Sequence, residues 1–158
     1  MLNDHFDEIY CLNLSSRKDR MIAFDSKAKE LQIKYTRFEA ISGSLISDYF
    51  ELKRMYSPAN IIVNANYLAC ALSHLGIMQT ALNNGYKRIL IFEDDVMIHR
   101  DIHKLSDIIL DENFNWDLLY LGFIPLSDDM EYWNYNLLND LFITNNIVKA
   151  NNLWCLHS

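Results

Sequence analysis

Ile9 to Leu14 reads Ile-Tyr-Cys-Leu-Asn-Leu, a short and almost continuous apolar run. A strand covered on both faces needs such a run. Beyond it, Met21, Phe24, Ala28 and Leu31 recur at helical spacing with lysines and acids between them. Ser15 or Ser16 stands where an N-cap is wanted, and Asp19 follows Ser16 by three residues as in a weak capping box. Residues 33–41 predict a second strand with imperfect alternation, and Ser42-Gly43-Ser44 predicts a turn. Leu45, Tyr49, Leu52 and Tyr56 then mark a helix that Pro58 closes. Residues 66–82 carry the strongest helical pattern. Leu68, Leu72, Leu75, Met78 and Leu82 form one apolar face, and Cys70, His74, Ile77 and Ala81 form a second beside it. An apolar arc that wide predicts a buried helix, ended by Asn84-Gly85.

Arg88 to Phe92 is a short apolar strand that runs straight into Glu93-Asp94-Asp95. Ile102, Leu105, Ile108 and Ile109 suggest a further helix, residues 116–121 another buried strand, and residues 141–143 and 153–156 late strands. Strands alternating with helices predict an α/β fold, a mainly parallel sheet with helices on both faces. Ligands of such sheets bind at the carboxyl ends of the strands. That singles out two stretches, Asn13 to Arg20 and Glu93 to Asp95.

A chain of 158 residues suits one domain with a real core, and 51% hydrophobic against 22% charged residues is ordinary for a globular protein. The net charge of −7 gives no general attraction to nucleic acid or anionic lipid, so nucleic acid is excluded as a partner. Any phosphate must be met by local donors or a metal. The acidic N-terminus has no apolar h-region and no stretch is long enough to span a bilayer, so the expected compartment is cytoplasmic by default. Cys11, Cys70 and Cys155 form no CxxC pair and lie in apolar runs, where a thiol behaves as a small hydrophobe.

Three consecutive carboxylates at the end of a buried strand repel one another and resist desolvation. A hard divalent ion, Mn²⁺ or Mg²⁺, would relieve this and keep positions for phosphate. A solvated acidic turn explains the same residues. Arg17 and Arg20 lie near a helix N-terminus, and guanidinium forks suit diphosphate. Taken alone, they fit better as a solvated helix start paired with Asp19 or Glu39. Neither a GxGxxG fingerprint nor a Walker loop is present, which takes most of the support from dinucleotide oxidoreductases and P-loop NTPases. His74 reads as a core histidine bonded to backbone or carboxylate. His99 and His103 lack a third ligand for zinc, and neither a nucleophile elbow nor a Cys/His pair is evident.

Taken in order, residues 9–14 with Arg17 and Arg20, then Cys70-Ala71-Leu72-Ser73-His74, then residues 91–96, then residues 116–122 resemble glycosyltransferase family 25. That family includes lipooligosaccharide (lipopolysaccharide biosynthesis) and procollagen hydroxylysine galactosyltransferases. The resemblance implies a GT-A fold, the Rossmann-like nucleotide-diphospho-sugar transferase architecture. It implies a UDP-sugar donor, galactose most often, and Mn²⁺-assisted transfer with inversion to a glycan or hydroxylysine-type acceptor. Carried over residue by residue, Glu93-Asp94-Asp95 stands at the family's DXD-like motif. Asp95 is then the first metal ligand, with Glu93 or Asp94 toward a second metal position or the ribose. Asn13, Leu14, Arg17 and Arg20 would line the nucleotide pocket, joined by the Ser73-His74 pair. Asp128, Asp129 and Glu131 are candidates for the base only as acids after a strand end. Family members continue past the position of Ser158, so residues 1–158 are expected to be a single GT-A-type domain incomplete at its C-terminus. Two alternatives stand beside this: a degenerate, non-catalytic domain of the same fold, and a metal-dependent phosphoryl or nucleotidyl transferase.

Overall fold

The computed structural model describes residues 1–47, 65–104, 117–119, 121, 142–144 and 147–148. The chain forms two compact units, Met1–Ile109 and Leu110–Ser158. In the first unit, a 3-10 turn at Leu2–His5 leads into β1 (Glu8–Asn13), α1 (Lys18–Glu30), β2 (Thr36–Glu39) and α2 (Gly43–Ser47). After residues outside the description come α3 (Ala65–Asn83), β3 (Ile89–Glu93) and a 3-10 turn at Ile102–Lys104. The fold is α/β, as the alternation of patterns predicts.

β1 is the central strand of a parallel three-stranded sheet with order β2-β1-β3. Leu12 is paired with Phe38 on one side and Glu93 on the other. Its residues are buried from Ile9 to Asn13, as a central strand covered on both faces requires. Below one face, Phe24 and Ala28 of α1 and its C-cap Leu31 pack with Ile9, Cys11, Leu90 and Phe92. Phe24 meets Phe92 at 5.8 Å and Tyr35 at 4.9 Å between ring centroids. On the opposite face, Ile77 of α3 packs with Tyr10 and Leu12, flanked by Phe38, Ile89 and Ile91. The chain passes from β1 to β2 on one side and returns to β3 on the other, so the order reverses between β1 and β3. The carboxyl ends of those two strands are where such a sheet opens a crevice.

Several expectations are corrected. Neither Ser15 nor Ser16 caps α1: the N-cap is Arg17 without a side-chain cap bond, and Asp19 pairs with Arg17 instead of closing a capping box. The turn predicted at residues 42–44 opens α2, where Ser42 Oγ accepts from Ser44 N. Leu45 is exposed and Ile46 buried, the reverse of the predicted face, and residues 48–64 lie outside the description. α3 exists within one residue of its predicted ends, but its inward stripe is Ala69, Ser73, Ile77 and Ala81. Leu75, Met78 and Leu82 are exposed. Small residues let the helix lie close: Gly76 sits under Phe38, where an added Cβ would be 3.2 Å from Phe38 Cζ. A Cβ on Gly43 would likewise run into Asn66, so α2 and α3 approach through that glycine.

No regular structure is formed by Asp117–Leu119 or Leu121, against the strand expected there, and Leu118 is exposed. Of the helix expected around Ile102 to Ile109, the 3-10 turn at Ile102–Lys104 is described and residues 105–109 lie outside. In the second unit, β4 (Phe142–Thr144) pairs antiparallel with β5 (Ile147–Val148), and the expected strand at residues 153–156 lies outside the description. Among the described residues no helix is long and apolar enough to cross a membrane.

Candidate functional site

The alternation of β3 decides where each acid goes. Leu90 and Phe92 face α1, while Ile89 and Ile91 face α3. Glu93 continues the α3-facing series, and Asp94 turns to the α1 side. The three carboxylates therefore do not converge on one point.

On the α1 side, Asn13 at the end of β1 is 2% exposed and uses both ends of its amide. Its Nδ2 donates to Asp94 Oδ2 at 2.6 Å and to the Arg17 carbonyl at 3.0 Å. Its Oδ1 accepts from Arg37 Nε at 2.9 Å. Arg20, in the first turn of α1, donates from one nitrogen to Asp94 Oδ1 at 3.2 Å and Asp95 Oδ2 at 2.6 Å. The Asp94 side chain is 9% exposed, while Asp95 and Arg20 are each one-third exposed. Asn13, Arg20, Asp94 and Asp95 thus meet at the opening between β1 and β3. Cys11 lies beneath, its thiol pushed up to about 12 by burial and then by the Asp94 charge, which keeps it inert.

Arg17 is committed to Asp19 by two bonds of 2.8 and 3.0 Å, which holds the exposed Asp19 carboxyl down at about 2. The Leu14 carbonyl accepts from Arg17 N at 2.9 Å, so Leu14 belongs to the turn into α1. Hard oxygen donors on an accessible strand end fit a divalent ion such as Mn²⁺, and Asp94 and Asp95 supply them. Glu93 is not part of that set.

On the α3 side, Glu93 Oε1 lies 3.1 Å from His74 Nε2. Ligand atoms of Cys70, His74 and Glu93 all lie within 4.8 Å of one another. The Cys70 thiol and then the Glu93 carboxylate hold the His74 imidazole up at about 9. Ser73, fully buried, donates to the Ala69 carbonyl at 2.7 Å and accepts from Ile41 N at 2.8 Å. Its hydroxyl ties α3 to the segment after β2. His103 accepts from Leu2 N and bonds the Leu31 carbonyl, while His99 accepts from Asp101 N, so these two histidines serve separate contacts. Asp128, Asp129 and Glu131 lie outside the described residues.

Against the expectation of no Cys/His pair, Cys70 and His74 are such a pair, four apart on one helix. That spacing, opposite an acid ending the adjacent strand, is the signal that could have found it. Arg37 was also missed, because an exposed arginine on a weakly patterned strand carries no signal of its own.

The sequence profile of "Glycosyltransferase family 25 (LPS biosynthesis protein)" matches residues 6–147. Among curated relatives, the human "Inactive glycosyltransferase 25 family member 3" is 26% identical over 138 residues, covering 80% of this chain and 23% of its own length. The rat "Probable inactive glycosyltransferase 25 family member 3" is 27% identical over 132 residues, 74% of this chain and 23% of its own. Human "Procollagen galactosyltransferase 2" is 28% identical over 134 residues, 74% of this chain and 21% of its own. The chain matches little more than a fifth of the length of these relatives. No solved structure matches the chain at a significant level.

Proposed function

The chain belongs to glycosyltransferase family 25, and from that premise we propose that it transfers a hexose, galactose first, from a UDP-sugar to a glycan or hydroxylysine-type acceptor with inversion. The observation that supports this most is the network joining Asn13, Arg20, Asp94 and Asp95 at the opening between β1 and β3. Asp95, with Asp94 beside it, would hold Mn²⁺ or Mg²⁺, which when bound supplies positive charge for the UDP leaving group. Asn13 fixes the Asp94 carboxylate, so the acid is aimed before the donor arrives. Arg20 offers a guanidinium to the diphosphate. The acceptor hydroxyl needs a carboxylate base on the opposite face of the sugar, for which Asp128, Asp129 and Glu131 remain the proposed pool.

UDP with Mn²⁺ is expected to raise the melting temperature, and Asp95→Ala to remove the shift. Release of UDP from UDP-galactose measures turnover directly. An unchanged wild-type melt at millimolar UDP and Mn²⁺ would overturn the proposal.

A second reading, a non-catalytic module of the same fold, draws support from two observations. Relatives named as inactive match the chain, and Arg20 already satisfies Asp94 and Asp95. Even slow hydrolysis of UDP-galactose eliminates it.

A further inference from the structure

We propose that Cys70, His74 and Glu93 form a site for a borderline divalent cation of the zinc type, with three protein ligands and a fourth position open to water or an added oxygen ligand. This site is distinct from the hard-oxygen pair Asp94 and Asp95, and it does not rest on the glycosyl-transfer reading.

Helix spacing supplies the first two ligands. Residues four apart lie on one face of a helix about one turn from each other, the spacing that paired histidines use in helical zinc motifs. Cys70 and His74 occupy such positions in α3. The third ligand comes from the end of β3, where strand alternation turns Glu93 toward α3. Tetrahedral zinc with bonds of about 2.0–2.3 Å sets its ligand atoms roughly 3.3–3.6 Å apart. The Glu93–His74 edge is already 3.1 Å, and the remaining atoms lie within 4.8 Å. Side-chain torsions can close a gap of about an ångström. All three residues are partly buried, so the cation would be held by protein on one side and remain reachable on the other.

Donor chemistry selects the ion. A thiolate, an imidazole and a carboxylate together suit Zn²⁺ or Co²⁺ better than Mg²⁺ or Mn²⁺, which prefer oxygen alone. On binding, Cys70 gives up its thiol proton and His74 the proton that its neighbours hold on the ring, both to solvent, and His74 coordinates through its neutral ring. Thiolate and carboxylate then balance the charge of a dication.

The same residue types could form a nucleophile–base–acid relay, but the geometry argues against it. In such a relay the acid and the nucleophile sit on opposite edges of the imidazole. Here the Cys70 sulfur and a Glu93 oxygen lie within 4.8 Å of each other, closing a triangle on one side of the ring.

Titration of the full chain with Co²⁺, after chelator treatment, tests the proposal. One equivalent is expected to bind at this site, read by a thiolate-to-cobalt charge-transfer band that Zn²⁺ abolishes by displacement and that Co²⁺ on the Asp94 and Asp95 oxygens does not give. Cys70→Ser should remove the band and weaken binding by more than about 100-fold, beyond the ~10–100-fold that an outer-sphere partner costs. Glu93→Gln should weaken it comparably, and Asp95→Ala should leave the sulfur band in place. Absence of the sulfur band, an equal band and affinity in Cys70→Ser, or loss of the band in Asp95→Ala would overturn the site. If Cys70→Ser does not fold, alkylation of wild-type Cys70 followed by peptide mass spectrometry decides. Stoichiometric Zn²⁺ should protect the thiol, and absence of protection refutes the proposal.

Discussion

Replacing Asn13 by alanine removes three hydrogen bonds from a residue with almost no exposure. The bond to Asp94 is the costly one. Its acceptor is a carboxylate with only 9% of its side chain exposed, and a bond to a charged group is worth about 1.5–3 kcal/mol. The bond to the Arg17 carbonyl is neutral and adds about 0.5–1.5 kcal/mol. Arg37 is exposed and recovers water, so its lost bond counts for little. Asn13→Ala should therefore destabilise the protein by about 2–4 kcal/mol. In a chain of this size that lowers the melting temperature by roughly 4–16 °C. Urea unfolding should show a reduced midpoint at an unchanged slope. A double-mutant cycle with Asp94→Ala isolates the central bond. If Asn13 acts through Asp94, the two losses should fall short of additivity by about 1–3 kcal/mol. Strict additivity, or an Asn13→Ala midpoint within about 0.5 kcal/mol of wild type, would refute the claim that this amide organises the strand ends.

Three further outcomes follow from single contacts. Ser73→Ala strands the amide of Ile41 by removing its acceptor and should cost about 1–3 kcal/mol in chemical denaturation, whereas an exposed serine such as Ser26 should change stability by less than about 0.5 kcal/mol. Gly85 follows the end of α3 with φ +72° and open space where a Cβ would stand, so Gly85→Ala should lose about 1 kcal/mol by backbone strain alone and Gly85→Asn less. Asp7 accepts from the backbone amides of Arg88 and Lys87, which depress its carboxyl below the ordinary value. Its stabilisation is present above about pH 4 and lost as pH falls through the lower folded value, so Asp7→Asn should flatten the acid limb of a stability–pH profile below pH 4.

The elements that position the site were legible because their signals are local. The apolar runs of β1 and β3 and the 3.6-residue period of α1 need no knowledge of the rest of the chain. α3 was legible as a helix but not as a surface. Its arc of Leu68, Leu72, Leu75, Met78 and Leu82 carries more apolar bulk than the stripe of Ala69, Ser73, Ile77 and Ala81, yet the latter lies against the sheet. Close approach is set by where Phe38 and the strand side chains leave room, which no single segment records. The start of α1 was misread for a related reason. Ser15 and Ser16 have capping chemistry, but the amide of Asn13 takes the Arg17 carbonyl and Asp19 turns to the Arg17 guanidinium. Both are tertiary or side-chain choices that compete with the cap. Cys70 is inconspicuous as one of three thiols in apolar runs; what marks it lies one turn along α3 and across at the end of β3.

The run Glu93-Asp94-Asp95 gains its meaning from the pleat of β3. Three like charges in sequence become two groups on opposite faces, each with its own partner: His74 for Glu93, Arg20 for the other two. This has a consequence for donor binding. Arg20 is the guanidinium bonded to both carboxylates, while Arg37 reaches only the Asn13 amide and Arg17 is taken by Asp19, so the carboxylate face itself is one positive charge short, in a chain that is at −7. A diphosphate approaching it is opposed both locally and at long range. Arg20 can turn to the diphosphate only by leaving Asp94 and Asp95 uncompensated, and Asp94 is too buried to carry that charge on water alone. Under the proposed function, UDP and a divalent cation must therefore arrive as a linked pair. Each should bind more weakly alone than with the other, and by linkage the two enhancements must be equal.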